Sequence, residues 1–217
     1  VIGSFSKSSL SKIFYIPHPN YIEEYGEIVV TKENQIKPLN LLFLGAVKPY
    51  KNIELLIEVI QNLDSSQVQL NICGKPLNEA YEQTLIQKVS NSKNINLELK
   101  FLPDEELPDI ISKCDLLVLP YDLRSSLNSG TVILGFSYQR SVICPKIGTV
   151  LDYPHSNSML LYDYKSIEEH KEQLALQIKI AIELYSQNSN IFKKWGSEMF
   201  EIVSVQNDNN AIILKYD

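Results

Sequence analysis

The chain has 217 residues, 44% of them hydrophobic, and a formal charge of −6. That length and apolar content suit one large domain with a proper core and exclude a disordered chain. The acidic balance disfavours a general nucleic-acid binder, and no apolar run approaches the roughly 20 residues that span a bilayer.

The opening VIGSFSKSSL lacks the basic start and apolar core of a signal peptide and reads as a cut into a longer chain. Ile13-Phe14-Tyr15-Ile16 reads as a strand closed by Pro17-His18-Pro19. Two prolines hold His18 in an extended turn, either as a rigid linker residue or as a contact to a phosphate or an interdomain cleft. The charged stretch Tyr21 to Lys37 reads as a surface connection. Leu41 to Leu44 is the first buried strand. The loop Gly45 to Lys51 follows it, and Asn52 has the residue type of an N-cap. Ile53, Leu56, Ile57 and Ile60 recur at helical spacing and predict a helix over 53–63.

Val68, Leu70 and Ile72 alternate with polar residues as a strand does, up to Cys73-Gly74-Lys75-Pro76. Leu77, Tyr81, Leu85 and Val89 predict a helix. Ile95, Leu97, Leu99 and Phe101 predict a third strand, broken by Leu102-Pro103. Asp104 is expected to cap a short helix carrying Leu107, Ile110 and Ile111. The stretch Cys114 to Gly148 then reads as one strand–loop–helix–strand unit. It comprises an apolar run Leu116 to Leu119, a polar loop Tyr121 to Ser129, a buried helix Gly130 to Tyr138, and a strand Ser141 to Cys144 stopped by Pro145. Met159 to Tyr162 predicts an edge strand. Ser166 caps a helix to about Tyr185, with Glu168 and Glu169 in its first turn. A further helix covers Ile191 to Val203, and Ala211 to Leu214 predicts a final strand. His170, on a charged helix, reads as solvated.

Alternating strands and helices predict an α/β, Rossmann-like, doubly wound parallel sheet with ligands at the carboxyl ends of its strands. Residues 1–38 are expected to be a linker leading into the domain, 39–165 the binding domain, and 166–217 helices and a tail packed on it. Cys73, Cys114 and Cys144 are odd in number and far apart, and read as small buried residues in a reducing compartment. His18, His155 and His170 show no metal spacing, so no metal ligand is assigned. Walker, G-x-G-x-x-G and G-x-S-x-G motifs are all missing.

The loops at the strands' carboxyl ends hold the candidate chemistry. Lys48 and Lys51 either meet a diphosphate or are solvated surface lysines. Gly74 is either a turn or a point of close backbone approach to a ligand. Asn128-Ser129-Gly130-Thr131 is either an ordinary helix cap or an anion site built from free N–H groups. Asp122 and Arg124 either pair with each other or reach a sugar hydroxyl.

Taken together these segments resemble a known family. LGAVKPYKN at 44–52 resembles the G-x-x-R-P-Y-K-G loop of GT-B glycosyltransferases, family 4-like. LNICGKP at 70–76 resembles their next strand and glycine turn, and FLPDEEL at 101–107 their F-x-P-x-x-E-L segment. DLLVLPY at 115–121 with Asn128 to Thr131 resembles A-D-x-x-x-L-P-Y…S-S-G, and IPHPN at 16–20 resembles the linker into the C-terminal domain.

The resemblance implies the C-terminal, donor-binding half of a GT-B transferase that moves a sugar from a UDP- or GDP-type donor to a glycan or lipid-linked acceptor. It implies that Lys48 and Lys51 stabilise the donor diphosphate. It implies a donor site of Gly45, Gly74, Lys75, Leu102, Pro103, Tyr121, Asn128, Ser129, Gly130 and Thr131, with no cofactor and no metal. Lysine at position 48, where the family has arginine, lacks the bidentate fork. The family's glutamate pair is replaced by Leu127 and Gly135, which puts ribose contact in doubt. The expected acceptor domain lies outside this chain, a peripheral membrane contact would run through it, and this chain alone is expected to transfer weakly or not at all. The expected place is the cytoplasm, with the inner face of the membrane as the variant. The rivals are a non-catalytic nucleotide-sugar-binding module and a nucleotide-sugar epimerase, which would need a carboxylate pair not evident here.

Overall fold

The computed structural model describes residues 16–22, 24, 38–125, 128–153, 157–209, 212 and 213. The predicted strand start at Ile13 to Tyr15, most of the 21–37 connection, and positions 127 and 155 lie outside them.

Six strands form one all-parallel sheet in the order β3-β2-β1-β4-β5-β6. They are β1 (Leu39–Leu44), β2 (Val68–Cys73), β3 (Ile95–Glu98), β4 (Leu116–Val118), β5 (Ser141–Pro145) and β6 (Leu160–Tyr162). The connecting helices are α1 (Ile53–Gln61), α2 (Glu79–Val89), α3 (Leu107–Ser112), α4 (Gly130–Ser137) and α5 (Gly148–Leu151). Two longer helices, α6 (Ile167–Gln187) and α7 (Ile191–Gln206), close the fold. The central strands are continuous apolar runs because both their faces are covered: β4 and β5 are buried throughout. Helix α6 packs on α1 and β6, and α7 packs on α4 and β5. No helix among the described residues is long and apolar enough to cross a membrane.

Several expectations change. β3 stops at Glu98, where the Lys100 amide turns back to the Glu98 carbonyl at 3.1 Å. Leu99 therefore lies past the strand, and Phe101 is 71% exposed. Leu77 is exposed and precedes α2, whose cap is Asn78: its Oδ1 accepts from the Tyr81 amide at 2.8 Å. Asp104 makes no side-chain cap and sits instead in a 3-10 turn, Asp104–Glu106, that leads into α3. Ile212 and Ile213 are helical rather than part of a final strand. His170 is fully buried, not solvated, because it lies on the inward face of α6 with Leu174, Ile178 and Ala181. The three cysteines are free and buried as expected. Ser166 caps α6 as expected, its Oγ accepting from the Glu169 amide at 3.2 Å.

Candidate functional site

The strand order reverses beside β1, with β2 on one side and β4 on the other. In open α/β sheets a crevice opens at such a switch, outside the carboxyl ends of the strands. Two loops leave there, 45–52 after β1 and 119–129 after β4.

The β1 loop is stitched to both neighbours. Towards β2, the Gly45 amide donates to the Cys73 carbonyl at 3.1 Å, and the Val47 amide donates to the Lys75 carbonyl at 3.0 Å. Gly45 and Gly74 have φ of +125° and +144°, a region that L side chains avoid. A Cβ on Gly74 would stand 1.8 Å from the Gly45 carbonyl oxygen. The close approach at Gly74 is thus made by the neighbouring backbone. Towards β4, Asn52 Nδ2 donates to the Pro120 carbonyl at 3.0 Å. Asn52 sits at φ 54° without a side-chain cap bond, so it ties two loops together rather than capping α1.

Between those ties lies the 3-10 turn Pro49–Lys51, closed by the Lys51 amide on the Lys48 carbonyl at 2.9 Å. Lys48 has an extended backbone just before the turn, and Lys51 is its last residue. Their closeness registers in the proton affinity of Lys51: burial lowers it first, the Cys144 thiol offsets part of that, and the Lys48 charge lowers it further. The Lys51 Nζ stands 3.7 Å from the centroid of the Tyr121 ring.

Tyr121 is 1% exposed. Burial pushes its phenol up to about 12, against the opposing hydrogen bonds from Ser129 and Thr131. Ser129 Oγ donates to the Tyr121 hydroxyl at 3.1 Å and accepts from the Val132 amide at 3.4 Å, as the N-cap of α4. The Ser129 amide donates to Thr149 Oγ1 at 2.8 Å. Both of its donors are therefore committed within the fold. The amides of Gly130 and Thr131, in the first turn of α4, have no acceptor among the described residues, as helix starts require. They remain open to an anion.

Other expected residues are arranged less directly. Asn128 is exposed beside the cap and Lys75 is exposed beyond Gly74. Leu102 is buried, and Pro103 starts the 3-10 turn beyond β3. Two strand steps separate β3 from β1, roughly 10 Å. Asp122 spends its Oδ1 on the Arg124 and Ser125 amides at 2.7 and 3.2 Å, which shapes the loop. A Cβ on Gly135 would lie 3.2 Å from both Leu117 Cδ atoms, so a larger side chain there points into the sheet.

The connecting segment comes to the same helix start. A Cβ on Gly130 would stand 2.9 Å from His18 Nε2 and 2.9 Å from the Tyr21 hydroxyl. The segment is held by the Asn207 Nδ2 donating to the His18 carbonyl at 2.7 Å and the Tyr21 amide donating to Ser137 Oγ at 2.9 Å.

Sequence reasoning missed Thr149 and Tyr164. The Tyr164 hydroxyl donates to the Tyr121 carbonyl at 3.0 Å and accepts from the Leu123 amide at 2.9 Å. Its ring stacks on His170 at 3.9 Å and 6°. Thr149 lies in α5, directly after β5, and Tyr164 follows β6; neither carries a motif. Only their place after a strand's carboxyl end hints at a role.

Residues 28–132 match the family described as glycosyl transferases group 1. The chain is 31% identical over 130 residues to the GDP-mannose:glycolipid 4-beta-D-mannosyltransferase of Xanthomonas campestris pv. campestris, covering 60% of this chain and 36% of that protein. It thus spans about a third of the length of that relative. Among solved structures, Anabaena HepE in complex with UDP and glucose superposes with a TM-score of 0.65 at 16% identity, over 82% of this chain and 47% of HepE. The C-terminal domain of a group 1 glycosyl transferase, LpcC, from Francisella tularensis superposes with a TM-score of 0.60 at 16% identity, over 80% of this chain and 89% of that one. Family match, sequence relative and fold point the same way: just under half of the chain is similar to the group 1 glycosyltransferases, and the sheet is Rossmann-like, as in the solved group 1 domain.

Proposed function

We propose that this chain is the donor-binding half of a transferase that moves a sugar from a nucleoside-diphosphate sugar to a glycan or lipid-linked acceptor. The observation that carries this reading is Lys51 in the β1 loop at the strand switch, its ammonium on the Tyr121 ring whose hydroxyl meets Ser129, the cap of α4; Lys48 precedes it by three residues. A nucleoside diphosphate gains negative charge as it leaves the sugar. The Lys51 ammonium, the Lys48 charge and the Gly130 and Thr131 amides would oppose that charge, which lowers the barrier. The Leu102-Pro103 backbone, two strands away, is the proposed wall for the base, and Lys75 and Asn128 line the outer edge. Residues 39–165 form the binding module, braced by 166–217.

The mannosyltransferase relative acts from GDP-mannose on a glycolipid, which favours a GDP-sugar over a UDP-sugar and a lipid-linked acceptor at the cytoplasmic face of a membrane. The packing at Gly135 supports a second reading. Position 135 carries no carboxylate, and a Cβ there would meet Leu117, as expected of a module that binds the nucleotide without supporting transfer.

Calorimetric titration with GDP and UDP tests the reading. Lys51→Ala should weaken nucleoside-diphosphate binding about 10- to 100-fold, the worth of a charge-assisted hydrogen bond, and Lys75→Ala less than about threefold. A folded wild-type protein that binds neither nucleotide overturns it.

A further inference from the structure

Tyr121 stands at the centre of the site and cannot touch what the site holds. It is 1% exposed. Its backbone, its hydroxyl oxygen and one ring face are already committed. Its amide donates to the Leu119 carbonyl at 2.8 Å, and its carbonyl accepts from Tyr164 at 3.0 Å. Its hydroxyl accepts from Ser129, the residue that caps α4. One ring face carries the Lys51 Nζ at 3.7 Å. We propose that Tyr121 is a positioning residue that holds the Lys51 ammonium against the start of α4, so that the cation from the β1 loop and the amides of the helix form one diphosphate site. The inference rests on the diphosphate reading above.

The physical reason is the contrast between a flexible donor and a rigid platform. A lysine side chain has four rotatable carbons and loses much rotamer freedom when its head is fixed. The negative face of an aromatic ring attracts the ammonium before any ligand arrives, so less freedom is left to lose on binding. The residue in turn is held by three hydrogen bonds, to Leu119 and Tyr164 through its backbone and to Ser129 through its hydroxyl. Its hydroxyl bond reports the position of the α4 cap directly to the ring that holds the lysine. Among the described residues, the charged and titratable groups around Lys51 are Lys48, Tyr50, Tyr121 and Cys144, none of them a carboxylate, and of the two rings near its ammonium Tyr121 is the nearer, at 3.7 Å against 5.3 Å for Tyr50.

The test is a double-mutant cycle read by GDP titration. Tyr121→Leu removes the ring face and keeps bulk; it should weaken GDP binding about tenfold. In a Lys51→Ala background the same substitution should change binding less than about twofold, because the residue acts through the lysine. Tyr121→Phe, which keeps the face and loses the hydroxyl, should stay within about threefold of wild type. Equal losses from Tyr121→Leu with and without Lys51 overturn the inference and leave the diphosphate reading intact. Wild-type protein that binds no GDP or UDP overturns both.

Should Tyr121→Leu not fold, the wild-type spectrum decides. The Lys51 ε-methylene protons, identified by their loss in Lys51→Arg, should be shifted upfield by the ring current, and unshifted resonances overturn the proposal.

Discussion

Two loops leave the carboxyl ends of β1 and β2, each begun by a glycine at positive φ and each followed by lysine. The first presents Lys48 and Lys51 in a closed turn, with Lys51 seated on Tyr121. The second leaves Lys75 exposed, and Gly74 serves the backbone of the first loop. What separates them is the neighbour. β1 borders the strand switch and faces β4, whereas β2 has β3 at its other side. Similar local chemistry therefore faces the crevice in one place, where a ligand loop is proposed, and buttresses the neighbouring backbone in the other.

The glycines give the largest expected effect. At Gly74 a side chain meets both a strained φ, costing about 1–3 kcal/mol, and backbone at 1.8 Å. Displacing that backbone costs about another 1–3 kcal/mol. Gly74→Ala should lose about 4 kcal/mol in urea unfolding. At Gly45 the nearest atom is Thr131 Oγ1 at 3.5 Å, an ordinary contact, so Gly45→Ala should lose only the strain. Equal losses would break the division between ligand loop and buttress.

The next test concerns what stands behind each loop. The segment after β4 is backed by Tyr164 and, through it, by His170, whose Nε2 meets the Tyr162 hydroxyl at 3.0 Å. Among the described contacts of the β2 loop there is no such aromatic backing. Burial pushes the His170 imidazole from its ordinary 6.5 down to about 4, with Asp122 opposing the shift. Between those values the unfolded chain binds a proton that the folded chain refuses. Stability from this residue is thus complete above about pH 6.5 and is lost as pH falls towards about 4. Urea midpoints at pH 7 and pH 5 should fall further for wild type than for His170→Phe. Parallel falls would remove His170 from the wall behind the site.

The two loops also show how far residue patterns reach. The order of strands and helices was legible because apolar runs and helical spacing are local properties. That Lys51 and Ser129 meet the same residue, Tyr121, follows from a parallel sheet sending the ends of its strands to one rim, which residue patterns made legible. The fate of Gly74 was not, since its partner is the Gly45 carbonyl on another strand. The burial of His170 was hidden by charged neighbours, although Leu174, Ile178 and Ala181 mark the same face four, eight and eleven residues on. Tyr121 has the composition of a ligand contact, and only its burial under Lys51 points to the supporting role proposed for it.

The smallest effect separates two asparagines at matching places, each between a glycine loop and a helix. Asn78 has an extended backbone, and its side chain caps α2. Asn78→Ala should lose about 1 kcal/mol of stability, as removed N-caps do, and leave GDP binding unchanged. Asn52 has a left-handed backbone, and its side chain crosses the crevice to the Pro120 carbonyl. Asn52→Gly relieves the backbone while removing the tie, and those two terms nearly cancel in stability. The untied β1 loop should still bind GDP a few-fold more weakly, because the two sides of the crevice are no longer held in register. If Asn52→Gly binds GDP as wild type does while Asn78→Ala does not, the β2 loop is the one that holds the ligand, and the roles assigned to the two loops are reversed.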